Sequence, residues 1–387
     1  MLPSPQSYFA FQPDISYFDH GGYSLPLLSV VQEQIMLNQR INRNPSQFFR
    51  HELISQLEQV RETLGAFLGC PAAQLSFVPN ATYAFETVLR NLTLDAGDAV
   101  LINQLSFYAN RKAVGALAER LHLEVIDAPI SLPVQSAADL VEALKASYTP
   151  KVKLVVIDHV TSPAGIVFPV QEIAAFFKQR GCIVIIDGAQ APGQVPVDLS
   201  SLPVDFYFGN CHKWLSSLRT AAFLYTAEEW STRMRGLITA RSSDFPERRR
   251  SRLQQDTDCP GAYDPTPILC LPKALETLSC IYAGGIRQLM RENHEGLLRG
   301  LDILIRQLNL SPLVSPEMVG SMISLRLHDR FELRAEELQK KLFDAGVSAL
   351  VFASGMDGEV NIRFCHQAYI SPEDYQKAAD VLVSLRS

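Results

Sequence analysis

The chain has 387 residues, 47% of them hydrophobic and 20% charged, with a formal net charge of −6. That length allows two domains around a large core, and the acidic balance argues against nucleic-acid or anionic-membrane partners, whose phosphates ask for a basic face. No Lys or Arg precedes Arg40, no stretch approaches the roughly 18 apolar residues of a membrane span, and the seven cysteines form no Cys-x-x-Cys pair, which together predict a cytoplasmic protein with reduced thiols.

Residues 29–68 read as mainly helical and lead into a region where β-rich runs alternate with helical patterns. The runs cover 75–78, 99–103, 123–127, 153–159, 182–187, 205–209 and 221–225; helical patterns such as 82–92 and 170–179 separate them. Several are continuously apolar, as in Leu154-Val155-Val156-Ile157, which suits strands covered on both faces. This predicts an α/β large domain with a mostly parallel seven-stranded sheet and ligands at the carboxyl ends of its strands. Past about residue 260, helical stretches at 268–281, 285–308, 334–345 and 372–385 enclose short strands at 322–327, 349–352 and 361–364. They predict a smaller α+β domain. The boundary falls in the polar, Pro/Gly-rich region 242–267 and is placed after residue 255, giving domains 1–255 and 256–387. Within it, Arg248-Arg249-Arg250 and Arg252 read as a solvated loop face. The eight histidines contain no pair at i, i+3 or i+4, so no metal site is expected.

Five features carry chemistry. Val184-Ile185-Ile186-Asp187-Gly188-Ala189-Gln190 is an apolar strand ending in an acid, and Asp187 is either a ligand-facing carboxylate or a turn former. Lys213, in Asn210-Cys211-His212-Lys213-Trp214, follows an aromatic strand; burial would free its amine to condense with an aldehyde, whereas a surface lysine would do nothing of the kind. Asn80-Ala81-Thr82 opens a helix after the first sheet strand, as a plain cap or as an anion site. Tyr108 offers a ring that stacks on a flat cofactor or packs in the core. Arg363, on a late strand, offers a bidentate clamp for a carboxylate or an internal ion pair.

In chain order these motifs resemble a fold-type I pyridoxal-phosphate enzyme of the class V aminotransferase superfamily, nearest its isopenicillin N epimerase-like branch, over almost the whole chain. Tyr17-Phe18-Asp19-His20-Gly21-Gly22-Tyr23 resembles that branch's entry loop, and Thr161-Ser162-Pro163-Ala164-Gly165 its Thr-Ser-Pro-x-Gly loop. The resemblance implies the cofactor pyridoxal 5'-phosphate, with Lys213 as Schiff-base residue and proton carrier and Asp187 on the ring nitrogen. It further implies Ala189 under the ring, Tyr108 stacked on it, Gln190 on its phenolic oxygen, and Ser162 among the cofactor contacts. Asn80, Ala81, Thr82 and His212 would hold the phosphate, while Arg363, Gly22 and Tyr23 would meet an amino-acid substrate. A homodimer with its active site at the interface is implied too, although Gly261-Ala262 stands where the family usually has Gly-Thr. The missing hydroxyl is one phosphate contact, about 1 kcal/mol.

One base on one face suffices for β-elimination or transamination, whereas epimerisation needs a second proton donor that the sequence does not name. Elimination or transamination is therefore expected ahead of epimerisation. Cys211 should point away from Lys213 and His212, which disfavours persulfide chemistry. A non-catalytic homologue would lack the lysine or the acid, and a dinucleotide enzyme would need a Gly-x-Gly-x-x-Gly turn; neither fits. Arg219 would meet a second acidic group on the substrate or a surface carboxylate.

Overall fold

The computed structural model describes residues 3–9, 12, 14–239, 250–327, 333–354 and 359–386. Seven strands form the large sheet: β1 (Leu75–Val78), β2 (Ala99–Asn103), β3 (Glu124–Ala128), β4 (Val152–Asp158), β5 (Ile183–Asp187), β6 (Phe206–Asn210) and β7 (Ala222–Thr226). Their order is β1-β7-β6-β5-β4-β2-β3, and only β7 runs antiparallel to its neighbours. The continuous apolar runs have the reason expected of them. Val155, Ile157, Val184 and Ile186 enter the core on one face, while Leu154, Val156 and Ile185 enter that on the other. Each such side chain withdrawn from water contributes about 1.5–3 kcal/mol.

Helices Leu28–Arg43 and Leu53–Leu68 precede the sheet. The second carries Arg61, fully buried, whose guanidinium donates to Leu75 O and pairs with Glu58 and Asp258. Helix Arg252–Asp258 crosses the expected domain boundary and stays with the large sheet, because Gln254 Nε2 donates to Leu75 O at 2.9 Å. Arg250 is not solvated: its side chain is 6% exposed and meets Asp258 at 2.7 Å. Arg248 and Arg249 lie outside the described residues.

The second unit has an antiparallel sheet, β10-β11-β9-β8, from β8 (Ser311–Pro312), β9 (Met322–Arg326), β10 (Leu350–Ser354) and β11 (Glu359–Cys365). Helices Gly285–Leu308, Ala335–Asp344 and Pro372–Ser384 pack with it. The N-terminal segment belongs here as well, since Ser16–Tyr17 pairs in parallel with Val347–Ser348 and Cys365 N donates to Phe18 O. Residues 18–24 thus cross between the two units, over the carboxyl edge of the large sheet.

Loop 161–165 makes a second crossing. Gly165 has φ +78°, and a Cβ there would come within 2.3 Å of Met322 O on β9. Gly165→Ala should cost about 2 kcal/mol or more, from left-handed strain plus the backbone clash. A lowered urea midpoint with unchanged slope is the expected reading.

Candidate active site

A cavity of about 570 Å³ opens where β1, β4, β5 and β6 end and is bounded by Asp19, Gly21, Gly22, Tyr23 and Arg363. Its place follows from the topology, since residues just past parallel strand ends converge on one edge. Asn80, Ala81, Thr82, Ser162, Asp187, Ala189, Gln190, His212, Lys213, Arg363, Gly22 and Tyr23 all line it.

Lys213 is the central group. Enclosure by protein pushes its amine down to about 8, although Asp187 pulls the other way; Arg363 lowers it further. Asp187, at the end of β5, is 5% exposed. Burial raises its carboxyl above the usual range, opposed by hydrogen bonds from Ala189 N (2.8 Å) and Asn110 Nδ2 and by Lys213. Asp158 is its register partner on β4. Burial and the charge of Asp187 push Asp158 up to about 7, while Ser106 Oγ and Asn103 Nδ2 donate to it.

The anion cradle is the start of helix Ala81–Asn91. Asn80 Oδ1 caps Tyr83 N at 2.9 Å, and Asn210 Oδ1 takes Ala81 N at 2.9 Å. The Ala81 N–H is therefore occupied, contrary to the sequence expectation. Among the described residues the Thr82 N–H and hydroxyl have no partner, and they are the donors left for a phosphate. His212 Nδ1 donates to Ala221 O at 3.2 Å. Burial and Lys213 push its imidazole down to about 4, so Nε2 is a bare acceptor until an anion brings a proton to it.

One further expectation needs correction, that for Tyr108. Gln190 lines the cavity and also fastens the entry loop: Nε2 donates one hydrogen to Gly21 O (2.8 Å) and Oε1 accepts from Trp214 Nε1 (2.9 Å). Tyr108 is 70% exposed, its ring lies beneath Lys112 Nζ and it is not part of the cavity wall; its neighbour Phe107 lines the cavity instead. Tyr108 begins the helix Tyr108–Leu121, and that first-turn position turns it outward. Arg363 is held by an ion pair with Asp19 (Nη2 to Oδ1, 2.8 Å) and donates to Ser162 O (2.8 Å). Burial raises the Asp19 carboxyl above its usual range, against the pull of Arg363.

Sequence reasoning missed Asp19, Phe107, Asn110, Asp158 and Asn210 as cavity residues. Asp158 and Asn210 were detectable by the rule that found Asp187, a polar residue closing an apolar strand. Nothing in the pattern marked Asn110, which reaches Asp187 from a helix.

Residues 16–243 match the family model Aminotransferase class-V, so the chain belongs to that family. It is 30% identical to an isopenicillin N epimerase of Amycolatopsis lactamdurans, over 70% of this chain and 72% of that protein. It is 24% identical to an L-cysteine desulfhydrase of Arabidopsis thaliana, over 97% of this chain and 88% of the relative. Among solved structures, the cystine C–S lyase C-DES in complex with its product cysteine persulfide superposes with a TM-score of 0.82 at 20% identity, covering 96% of this chain and 98% of that one.

The family's cofactor is pyridoxal phosphate, and the donor set fits it. An enclosed amine suits an aldehyde, a buried carboxylate suits a pyridinium, and unpartnered helix-start donors suit a phosphate. Because Lys213 must be neutral to react, attachment of the cofactor to the cofactor-free protein should accelerate as pH rises through about 8 rather than through the ordinary lysine range near 10.5. Stopped-flow absorbance across pH 6–10 reads this directly. Asn110→Ala, which strips a charge-assisted donor from Asp187, should weaken cofactor binding by about tenfold, measured by equilibrium dialysis.

Proposed function

We propose that this member of the class-V aminotransferase family is a C–S lyase. It acts at Cα of a sulfur-bearing amino acid and eliminates the β-substituent. Pyridoxal phosphate, when bound, supplies the electron sink that accepts the charge left at Cα. Arg363 holds the substrate carboxylate, which replaces Asp19 on the guanidinium. Asp187 keeps the ring nitrogen protonated, and Thr82 with a protonated His212 takes the phosphate. Lys213 removes the Cα proton and returns it to the departing sulfur. The Cα–H and Cβ–S bonds break, sulfur leaves with its electron pair, and water converts the released enamine to a keto acid and ammonia.

The observation that carries this reading is a count of free acid–base groups. Two nitrogen bases line the cavity, and His212 Nε2 is assigned to the phosphate, which leaves the Lys213 amine; each of the three carboxyls is tied to protein donors: Asp19 to Arg363, Asp158 to Asn103 and Ser106, Asp187 to Asn110 and Ala189. A single base supports elimination or transamination. No cysteine lines the cavity among the described residues, and burial pushes the Cys211 thiol far up. Sulfur would accordingly leave as free sulfide and not on the protein.

A second reading, epimerisation, draws on Asp19, whose carboxyl is held above its usual range close to Lys213. The quaternary proposal is a homodimer. It draws support from an apolar cavity of about 370 Å³ beside residues 260–264, lined by Leu57, Phe77, Tyr83, Tyr263 and Ile268. A cytoplasmic location is proposed from the seven free cysteines; among the described residues no helix is long and apolar enough to cross a membrane.

Incubation with L-cysteine and S-conjugates should release keto acid and sulfide or thiol in equal amounts. A sulfur-retaining keto acid, with the cofactor left as its amine, would select transamination instead. Loss of optical activity without keto acid, abolished in Asp19→Asn, would replace the lyase reading by the epimerase one.

A further inference from the structure

A side branch of about 230 Å³ adjoins the active-site cavity, with Gly22, Tyr23, Asn80 and His212 in the walls of both. The remaining walls are Ser24, Pro79, Arg219 and Thr220. Arg219 is the one Lys, Arg, Asp or Glu side chain in that lining. Among the described residues its guanidinium has neither an ion pair nor a hydrogen bond, whereas Arg61, Arg111, Arg235 and Arg363 are all paired. The surface-carboxylate alternative for Arg219 thus finds no carboxylate in the described structure.

Arg219 is exposed, and the backbone that carries it is fixed on both sides. Arg219 lies on the short segment after Lys213, where Ser216 (φ +47°) and Thr220 (φ +67°) both adopt the left-handed region. A β-branched residue there is an outlier that surrounding contacts must enforce. Leu27 N donates to Ser216 O at 3.1 Å and Ser217 N to Cys211 O at 3.2 Å, while Thr220 Oγ1 donates to Arg219 O at 2.5 Å. Arg219 also acts on Tyr17 and His212 through its charge, which places it beside the entry loop and the phosphate end of the site.

We infer that Arg219 is a specificity-determining residue that binds a second acidic group of the substrate, so that the preferred amino acids carry a distal carboxylate reaching the side branch. A guanidinium recognises a planar carboxylate with two parallel donors, which an amide cannot match. This rests on the reading of a pyridoxal-phosphate enzyme that binds an amino acid at Arg363; it adds which side chain that amino acid carries.

The test uses cofactor-loaded protein and α-methyl amino acids, which have no Cα proton to lose and so report binding alone. Each ligand ending in a carboxylate is matched to its terminal amide across several chain lengths, and calorimetry gives Kd. Wild type should favour at least one acid over its amide. Arg219→Ala should weaken that acid by about 10- to 100-fold and leave the amide unchanged, and Arg219→Lys should restore part of the preference. Equal Kd values for acid and amide in wild type, or equal losses in Arg219→Ala, overturn the inference. A rise in the pyridoxal-phosphate Kd in Arg219→Ala with unchanged discrimination would give the guanidinium to the phosphate instead. A change in sedimentation with unchanged discrimination would give it to a second copy of the chain. Wild type that binds none of these ligands, or that forms no visible absorbance band with the cofactor, would refute the underlying reading rather than the role of Arg219.

Discussion

An amine buried next to a carboxylate sets the terms for every other residue in this site. Enclosure pushes Lys213 down to about 8, so that it is a nucleophile and a base near neutrality. The same enclosure raises Asp187, and hydrogen bonds from Ala189 N–H and Asn110 together with the charge of Lys213 oppose the rise. Burial alone favours the neutral form of both groups, which suits the amine and works against the carboxylate, so it is Asp187 that depends on its partners. The parallel sheet makes the pairing possible. It delivers Asp158 and Asp187 side by side at strand ends, with Asn210 at the next strand end and Lys213 in the turn beyond it.

The second constraint is that neither unit has a complete site. Arg363 comes from β11, Asp187 and Lys213 from the large sheet, and the loop 19–24 from a segment that returns to the second unit. Gln190 and Ser162 couple these parts: Gln190 Nε2 holds Gly21 O, and Arg363 holds Ser162 O. In the proposed reading a substrate carboxylate takes the place of Asp19 on the Arg363 guanidinium. That exchange replaces one ion pair by another, so net charge at the site changes little and desolvation falls mainly on the substrate.

Most of this was legible in sequence because the signals were local and periodic. Seven β-rich runs alternating with helical patterns announce a parallel sheet, and an acid or asparagine closing such a run points at the ligand edge. Side-chain direction was not legible. Phe107 and Tyr108 are adjacent aromatics, and only the first turn of their helix decides that Phe107 faces the cavity. The part Gln190 plays in fastening the entry loop was hidden too, since its contacts with Gly21 and Trp214 are separated by 169 and 24 positions in the chain. Arg250 sat in a basic run that suggested solvent, yet Asp258 draws it inward. Long-range partners decided each of these, and periodicity carries no record of them.

The central claim is that Lys213 is the group that binds the cofactor's aldehyde. Borohydride reduction of the cofactor-loaded protein, followed by peptide mass mapping, tests it most directly. The account predicts a pyridoxyl mass on the peptide containing Lys213 and on no other, absent in Lys213→Ala. A label on a different lysine, or none after full loading, would contradict it.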